Sequence, residues 1–362
     1  MRKWVIGSFA AVAVVAAAVA GTATRASAAP ALTNLTIQLK WAPQAQFAGY
    51  YAALDLGYYK AAGLNVTLKN GGPNIIPEQV VASGQAQIGL DWLPSLLAAR
   101  DQGTDLVNIA QVFARSGMTQ LTYKSSGIDT IAKMKGKKIG NWLGGNQYEL
   151  FAALQKAGID PNKSADVTIV KQPFDMGLFL KKQVDSASAM TYNELAQVLE
   201  SGVTLSQINV IKMQTVGTGM LEDGIFATGS WLKSAANQAL AVKAIGATLA
   251  GWIYCRDHQA QCVQYTLKAG PTLPKGHQTW MMNEIDKLVW PSPTGIGIMN
   301  KADYARTAQI SKQFGVIKKA PTAGAYRTDL ATKAVAQLKA NGLDVTGLSW
   351  KPLNVKVTPG GK

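Results

Sequence analysis

The side chains best suited to chemistry in this chain are indoles, amides and carboxylates set in short clusters. The first cluster is Trp41-Ala42-Pro43-Gln44-Ala45-Gln46-Phe47. An indole can stack on a flat ligand, and Gln44 or Gln46 can offer both a donor and an acceptor. The other reading of Trp41 is a plug in the core. Asp91-Trp92-Leu93-Pro94 sets a carboxylate beside a second indole. Asp91 either caps backbone N–H groups at a helix start or meets a donor or cation on a ligand. Asn141-Trp142-Leu143-Gly144-Gly145-Asn146-Gln147 is a turn whose glycines let backbone approach a ligand, with free N–H groups where a helix begins. It matches neither a phosphate loop nor a dinucleotide fingerprint. Pro173-Phe174-Asp175 and Met190-Thr191-Tyr192-Asn193-Glu194 complete the set. Glu194 could accept two donors from an amino-substituted ring while Tyr192 supplies the opposing stacking face. It could equally be a first-turn acid favoured by the helix dipole. The candidate ligand contacts are Trp41, Gln44, Gln46, Asp91, Trp92, Asn141, Trp142, Gly145, Asn146, Phe174, Tyr192 and Glu194.

Bond-breaking chemistry asks for other residue types. The chain has two histidines, His258 and His277, both late in the sequence, and two cysteines, Cys255 and Cys262. It contains no Gly-x-Ser-x-Gly elbow and no ligand spacing for a metal. No catalytic residue, metal or cofactor is therefore expected, and a binding protein is favoured over an enzyme.

The clusters fall where strands should end. Apolar and β-branched runs at 35–40, 65–68, 88–90 and 106–112 read as strands, separated by helical patterns at 44–62, 77–83 and 94–102. Pro77 and Pro94 suit first turns, and Gly63, Gly84 and Gly103 suit the turns that follow. Phe47, Tyr50, Tyr51, Leu54 and Tyr58 recur at helical spacing and read as core. A second round has strands near 121 and at 138–141, 167–171 and 186–191, with helices at 146–157, 174–181 and 192–200. A strand at 225–229 leads back, and helices follow at 232–255, 258–268, 278–288, 302–314 and 328–340. Such alternation predicts parallel α/β sheets in two lobes. Lobe I would be 29–120 plus 226–362 and lobe II 121–225, with crossings near 120–123 and 225–229. Ligands in open α/β sheets sit beyond the carboxyl ends of strands, which is where these clusters lie.

The chain is 362 residues long, enough for about two domains. Arg2 and Lys3, an apolar run from Trp4 to Ala20, and Ala26-Ser27-Ala28 have the pattern of a signal peptide, 1–28, cleaved after Ala28. The expected location is periplasmic or otherwise extracytoplasmic. Thirty-six basic residues face 21 acidic ones. The densest cluster, Lys133, Lys135, Lys137 and Lys138, is neither Arg-rich nor interleaved with aromatics, so a solvated surface is favoured over a nucleic-acid partner. In an oxidising compartment Cys255 and Cys262 are disulfide candidates. On one unbroken helix they would stand about 10 Å apart, too far to bridge. A helix ending near Cys255 and a second starting near His258 would let them meet.

The stretches LTIQLKWAPQAQFAGYYAALDLGYYKAAGLNVTL, GKKIGNWLGGNQYELFAALQKAGID, AMTYNEL and GWIYCRDHQAQCVQYTLKAG resemble the substrate-binding proteins grouped with thiamine-pyrimidine and sulfonate binders. The resemblance implies a two-lobed periplasmic-binding-protein fold of type II. It also implies a monomer that hands a small molecule to an inner-membrane ABC permease with its ATPase. The opening around Trp41 is more similar to binders of flat heterocycles, such as thiamine pyrimidine precursors or riboflavin, than to binders of sulfonate or nitrate. Trp41, Tyr192 and Glu194 match the ring-contacting pattern of the pyrimidine binders. Lys40 departs from it, since those binders favour Asp there, and Gln44 and Gln46 replace an Asn/His-rich stretch. Alternatives that the resemblance keeps open are an anion binder and an enzyme similar to the fungal thiamine-pyrimidine synthase. That synthase uses a histidine and a cysteine-rich iron segment absent here.

Overall fold

The computed structural model describes residues 31–143 and 145–362. The expected leader, 1–28, and Gly144 lie outside them. Ten strands form two five-stranded sheets. The first contains β1 (Thr33–Gln38), β2 (Leu64–Lys69), β3 (Ile88–Asp91), β4 (Leu106–Gln111) and, from much later in the chain, β10 (Gly224–Thr228). The second contains β5 (Met118–Tyr123), β6 (Lys138–Asn141), β7 (Thr168–Lys171), β8 (Ser186–Met190) and β9 (Ile208–Lys212).

The two sheets repeat one plan. Their orders are β2-β1-β3-β10-β4 and β7-β6-β8-β5-β9. In each, the first three strands run parallel and the fourth lies antiparallel to both neighbours. That fourth strand is the one the chain forms directly after leaving the other sheet. The sheets are therefore mixed, not purely parallel as the alternation predicted. The chain passes between them in segments 112–117 and 213–223, just before β5 and β10, and not along 120–123 and 225–229 as expected, since those residues belong to the paired strands themselves. Strand β9, which the sequence pattern did not bring out, closes the edge of the second sheet.

Local sequence explains most of the elements. Pro77 and Pro94 stand in the first turns of the helices Pro77–Ala82 and Leu93–Asp101, where a missing N–H leaves no bond unmade. The helix expected over 44–62 is broken. A short 3₁₀ turn, Ala45–Phe47, leads into Ala48–Asp55, and Tyr58–Ala61 begins only after Gly57 takes a left-handed φ of 74°. Phe47, Tyr50 and Tyr51 from this region are buried in the core, as their spacing predicted, but Leu54 is 38% exposed and Tyr58 only half-buried, because the break at Gly57 ends the helical face.

Small residues decide how the long helix Ala235–Asp257 packs. A Cβ on Gly251 would collide with the backbone of Gly49, and one on Gly49 would collide with the Trp252 ring. Two glycines thus bring this helix against Ala48–Asp55 and hold the first cluster in place. The long helix ends at His258, and Gln259–Ala269 follows at once. The turn brings the Cα atoms of Cys255 and Cys262 to 5.5 Å, and the two are joined in a disulfide. Among the described residues no helix is long and apolar enough to cross a membrane.

Candidate functional site

The segments after β1, β3, β6, β7 and β8 converge on one cleft. Its inner part, about 40 Å³, is lined by Lys40, Trp41, Gln44, Gln46, Trp92, Trp142, Asn146, Phe174, Met190, Tyr192, Asn193 and Glu194. An outer part of about 790 Å³ shares Lys40, Trp41, Trp142, Asn146 and Phe174 with it and adds Ile75, Ile76, Glu78, Asp91 and Gly145. Eleven of the twelve residues expected to meet a ligand thus line one part or the other. Asn141 lines neither. It is fully buried, donates to Ser188 Oγ at 2.8 Å and to the Asn146 carbonyl at 3.4 Å, and accepts from the Leu143 N–H at 2.8 Å. It shapes the turn that carries Trp142 and Asn146.

Trp41, after β1, and Phe174, after β7, touch across the cleft, with ring centroids 4.6 Å apart at 60°. Trp41 is half-buried and Phe174 is 45% exposed, so neither is a core plug. The ring facing Trp41 is therefore Phe174. Tyr192, expected to supply that face, is buried at the back wall, its ring edge-on to Phe113 at 6.5 Å. The inner cavity as it stands has room for a few water molecules. A flat ring between Trp41 and Phe174 requires them to part to about 7 Å, two van der Waals thicknesses.

Behind the rings lies a polar network. Gln44 donates to the Gln46 oxygen, and Gln46 Nε2 donates to both Asp223 oxygens at 2.8 and 3.1 Å. Trp92 Nε1 also donates to Asp223, at 3.0 Å. Gln46 and Trp92 are thus held by the protein itself, while Gln44 spends one N–H on Gln46 and keeps its other groups. Asp91 accepts from the Trp92 backbone N–H at 2.6 Å and pairs with Lys40, whose ammonium stands 5.0 Å from the Trp92 ring centre. Asp91 does not cap the helix Leu93–Asp101, whose N-cap Trp92 lies between them; it holds the Trp92 N–H just before the first turn, and the cation it meets is the protein's own Lys40.

Burial raises the carboxylates here. Desolvation, offset by the hydrogen bond from Gln46 and the charge of Lys40, lifts Asp223 to about 6. Glu78, on the outer wall, is pushed well above its ordinary value by desolvation and by the neighbouring charge of Asp91. Desolvation lifts Glu194 to about 7, against the pull of the Met190 N–H. That N–H donates to Glu194 Oε2 at 2.9 Å, and Asn193 Nδ2 donates to Oε1 at 2.8 Å.

Several residues of the site escaped the sequence. Asp223 precedes β10 and follows the second passage between sheets, a position no local motif marks. Asn193 was quoted only as part of its cluster. His277, set aside as a late-helix residue, reaches the cavity wall: its Nε2 lies 2.9 Å from Asn193 Oδ1 and its Nδ1 lies 2.8 Å from Glu200 Oε1. These contacts join residues about eighty positions apart, which periodicity cannot foresee. Among the described residues no group of three or more His, Cys, Asp or Glu is arranged to hold a metal.

Comparison with known proteins places this geometry in context. Residues 44–262, more than half of the chain, match the family described as NMT1/THI5 like. The riboflavin-binding protein RibY of Chloroflexus aurantiacus is 26% identical over 230 residues, 62% of this chain and 63% of that protein. The 4-amino-5-hydroxymethyl-2-methylpyrimidine phosphate synthase THI11 of Saccharomyces cerevisiae is 31% identical over 109 residues, 30% of this chain and 32% of the enzyme. The chain thus spans less than two thirds of the length of either relative. The periplasmic aliphatic sulphonate binding protein SsuA of Escherichia coli superposes with a TM-score of 0.61 at 16% identity, over 89% of this chain and 94% of that one. That likeness concerns the fold, a two-lobed periplasmic-binding-protein architecture.

Proposed function

The chain belongs to the NMT1/THI5-like family, and from that premise we propose that it is an extracytoplasmic substrate-binding protein for a flat, uncharged heterocycle. The ligand class is a pyrimidine of the thiamine-precursor type or a riboflavin-like ring. Lobe I, built on the first sheet, and lobe II, built on the second, close on the ring by bending at segments 112–117 and 213–223, a few residues before the boundaries at 120/121 and 225/226 expected from sequence, which would cut β5 and β10. The closed monomer then delivers its cargo to an ABC permease and ATPase. Residues 1–28 direct export and are removed.

The observation that carries this reading is the Trp41–Phe174 pair at the mouth of an amide-lined cavity. Rings from the two lobes offer stacking faces, and closure would tighten both on one ligand. The charge pattern separates this ligand from an anion. Lys40, which lines the inner cavity, is already paired with Asp91; among the described residues Lys171 adds an ammonium to the outer part, and no guanidinium lines either part of the cleft. Bidentate arginine recognition of a sulfonate has no counterpart in that lining. Catalysis is not part of the proposal. The cavity is lined by stacking rings and amides with Lys40 and Glu194, whose side chains are engaged by Asp91 and by Asn193 and the Met190 N–H, and the nearest imidazole, His277, has both nitrogens engaged by Glu200 and Asn193.

The test is to purify the exported protein and identify what accompanies it by native mass spectrometry and absorption spectroscopy. A bound pyrimidine or flavin supports the reading. A co-purifying sulfonate, or a turned-over product in place of an intact ligand, overturns it.

A further inference from the structure

The hydrogen bonds that hold Glu194 continue past the cavity. Asn193 Nδ2 donates to Glu194 Oε1, Asn193 Oδ1 faces His277 Nε2 at 2.9 Å, and His277 Nδ1 faces Glu200 Oε1 at 2.8 Å. Glu194 and Glu200 are the two ends of the helix Glu194–Glu200, just after β8. His277 comes from Lys275–Val289, more than forty residues after the chain has rejoined the first sheet. Glu194 and His277 are buried, and the Glu200 side chain is 11% exposed. The Asn193 orientation has a second support, because Gln197 Nε2 also points at its Oδ1, at 3.4 Å.

In this arrangement each ring nitrogen of His277 meets an oxygen acceptor. Placed so, Asn193 Nδ2 faces a Glu194 carboxylate oxygen and Asn193 Oδ1 faces a donating His277 Nε2–H. A second arrangement contains the same number of protons. His277 Nε2 loses its proton, Glu194 Oε1 gains one, and the Asn193 amide turns over. Oδ1 then accepts from Glu194, Nδ2 donates to the freed Nε2 lone pair, Nδ1–H still donates to Glu200, and Gln197 turns its own amide so that its oxygen accepts the second Nδ2 hydrogen. One N–H bond breaks and one O–H bond forms, with water carrying the proton.

We propose that His277 is a positioning residue for the ligand site, which through Asn193 sets whether Glu194 meets the ligand as a carboxylate or as a neutral acid. This rests on Glu194 facing the ligand, as proposed above. A ring edge bearing an amino group favours the carboxylate, and an edge bearing a carbonyl oxygen favours the neutral acid. One pocket thereby accepts either edge at no change in net charge. Burial lifts Glu194 to about 7, so both forms are accessible near neutral pH. The titratable groups around the chain are Glu194 and Glu200 from one helix and Tyr192 before it, with Glu222, Asp223 and Glu149 behind Tyr192. Lys275 precedes His277 on its own helix, while Gly361 packs against His277 Cβ and the Glu200 carboxyl group, and the Lys362 carbonyl packs on Gly276.

The test uses ligand-free protein, so it fails or succeeds independently of the ligand assignment. His258 is exposed and is the other histidine of the chain, which gives an internal reference for ring-nitrogen NMR. Removing the Glu194 charge with Glu194→Gln should move the His277 Nε2 signal at neutral pH from that of an N–H toward that of a bare ring nitrogen, leaving the His258 signals unmoved. If the Gln variant does not fold, Asn193→Ala, which removes the link itself, should move His277 in the same direction. Unchanged His277 ring-nitrogen signals in the folded variant overturn the proposal.

Discussion

Trp41 and Phe174 touch each other while standing open to the cleft, so their truncation should cost binding more than stability. Trp41→Ala or Phe174→Ala is expected to weaken ligand affinity by about 1–3 kcal/mol, the range for large aromatics at binding sites. Titration calorimetry beside thermal unfolding separates the two effects. A large drop in melting temperature with unaltered affinity would return Trp41 to the core. Replacing Lys40 by Met should act on stability instead, because it strips the buried Asp91 of its cation. A lower melting temperature relieved by the double variant with Asp91→Asn is the expected pattern. Much of this site was legible residue by residue, since strand-end aromatics and amides stand out in a chain that alternates strands and helices. The pairing of rings was not. Whether Tyr192 or Phe174 faces Trp41 depends on how two sheets meet, and Asp223, Asn193 and His277 act through contacts that sequence spacing does not encode.

At the scale of elements, the corner between Ala235–Asp257 and Gln259–Ala269 is clamped by a bond closing a short loop. Paired Cys255→Ser and Cys262→Ser changes should lower unfolding stability by about 2–3 kcal/mol on chain-entropy grounds. Denaturant unfolding with and without reductant measures this, and an unchanged midpoint would show that the corner needs no clamp. The corner was readable beforehand because a seven-residue separation cannot be bridged along one helix. First-turn prolines and exit glycines were readable for similar local reasons. Mixed strand direction was not. β5 and β10 have the same alternating or apolar pattern as a parallel strand, and only their place after a passage between sheets sets their direction. The break at Gly57 was hidden because apolar residues continue on both sides of it.

The whole molecule buries an unusual number of carboxyl groups. Burial lifts Glu149 and Asp286 to about 8, Glu194 to about 7 and Asp223 to about 6, from ordinary values of 4.5 for Glu and 3.8 for Asp. Through this interval the folded protein binds more protons than the unfolded chain, so stability falls as pH rises. The contribution is complete below about pH 4 and lost by about pH 8. Melting temperature should therefore be lower at pH 8 than at pH 5, and Asp286→Asn should narrow the gap. A melting temperature that climbs over that range would contradict the assigned protonation. Two of these groups tie the lobes together. Glu149 accepts from Ser116 Oγ at 2.7 Å and from the Met220 N–H at 3.0 Å, joining both passages to the helix Tyr148–Lys156. Glu222 accepts from the Gly117 N–H at 2.7 Å, joining one passage to the other. The two passages between the sheets are thus tied to each other and to the helix Tyr148–Lys156.

The most direct measurement is calorimetric titration of residues 29–362, freed of bound small molecules, with 4-amino-5-hydroxymethyl-2-methylpyrimidine, riboflavin and an alkanesulfonate at low and high salt. Binding of a heterocycle, insensitive to salt and lost in the Trp41→Ala, Phe174→Ala double variant, is the predicted result. Salt-sensitive binding of the sulfonate alone, indifferent to both rings, would contradict it.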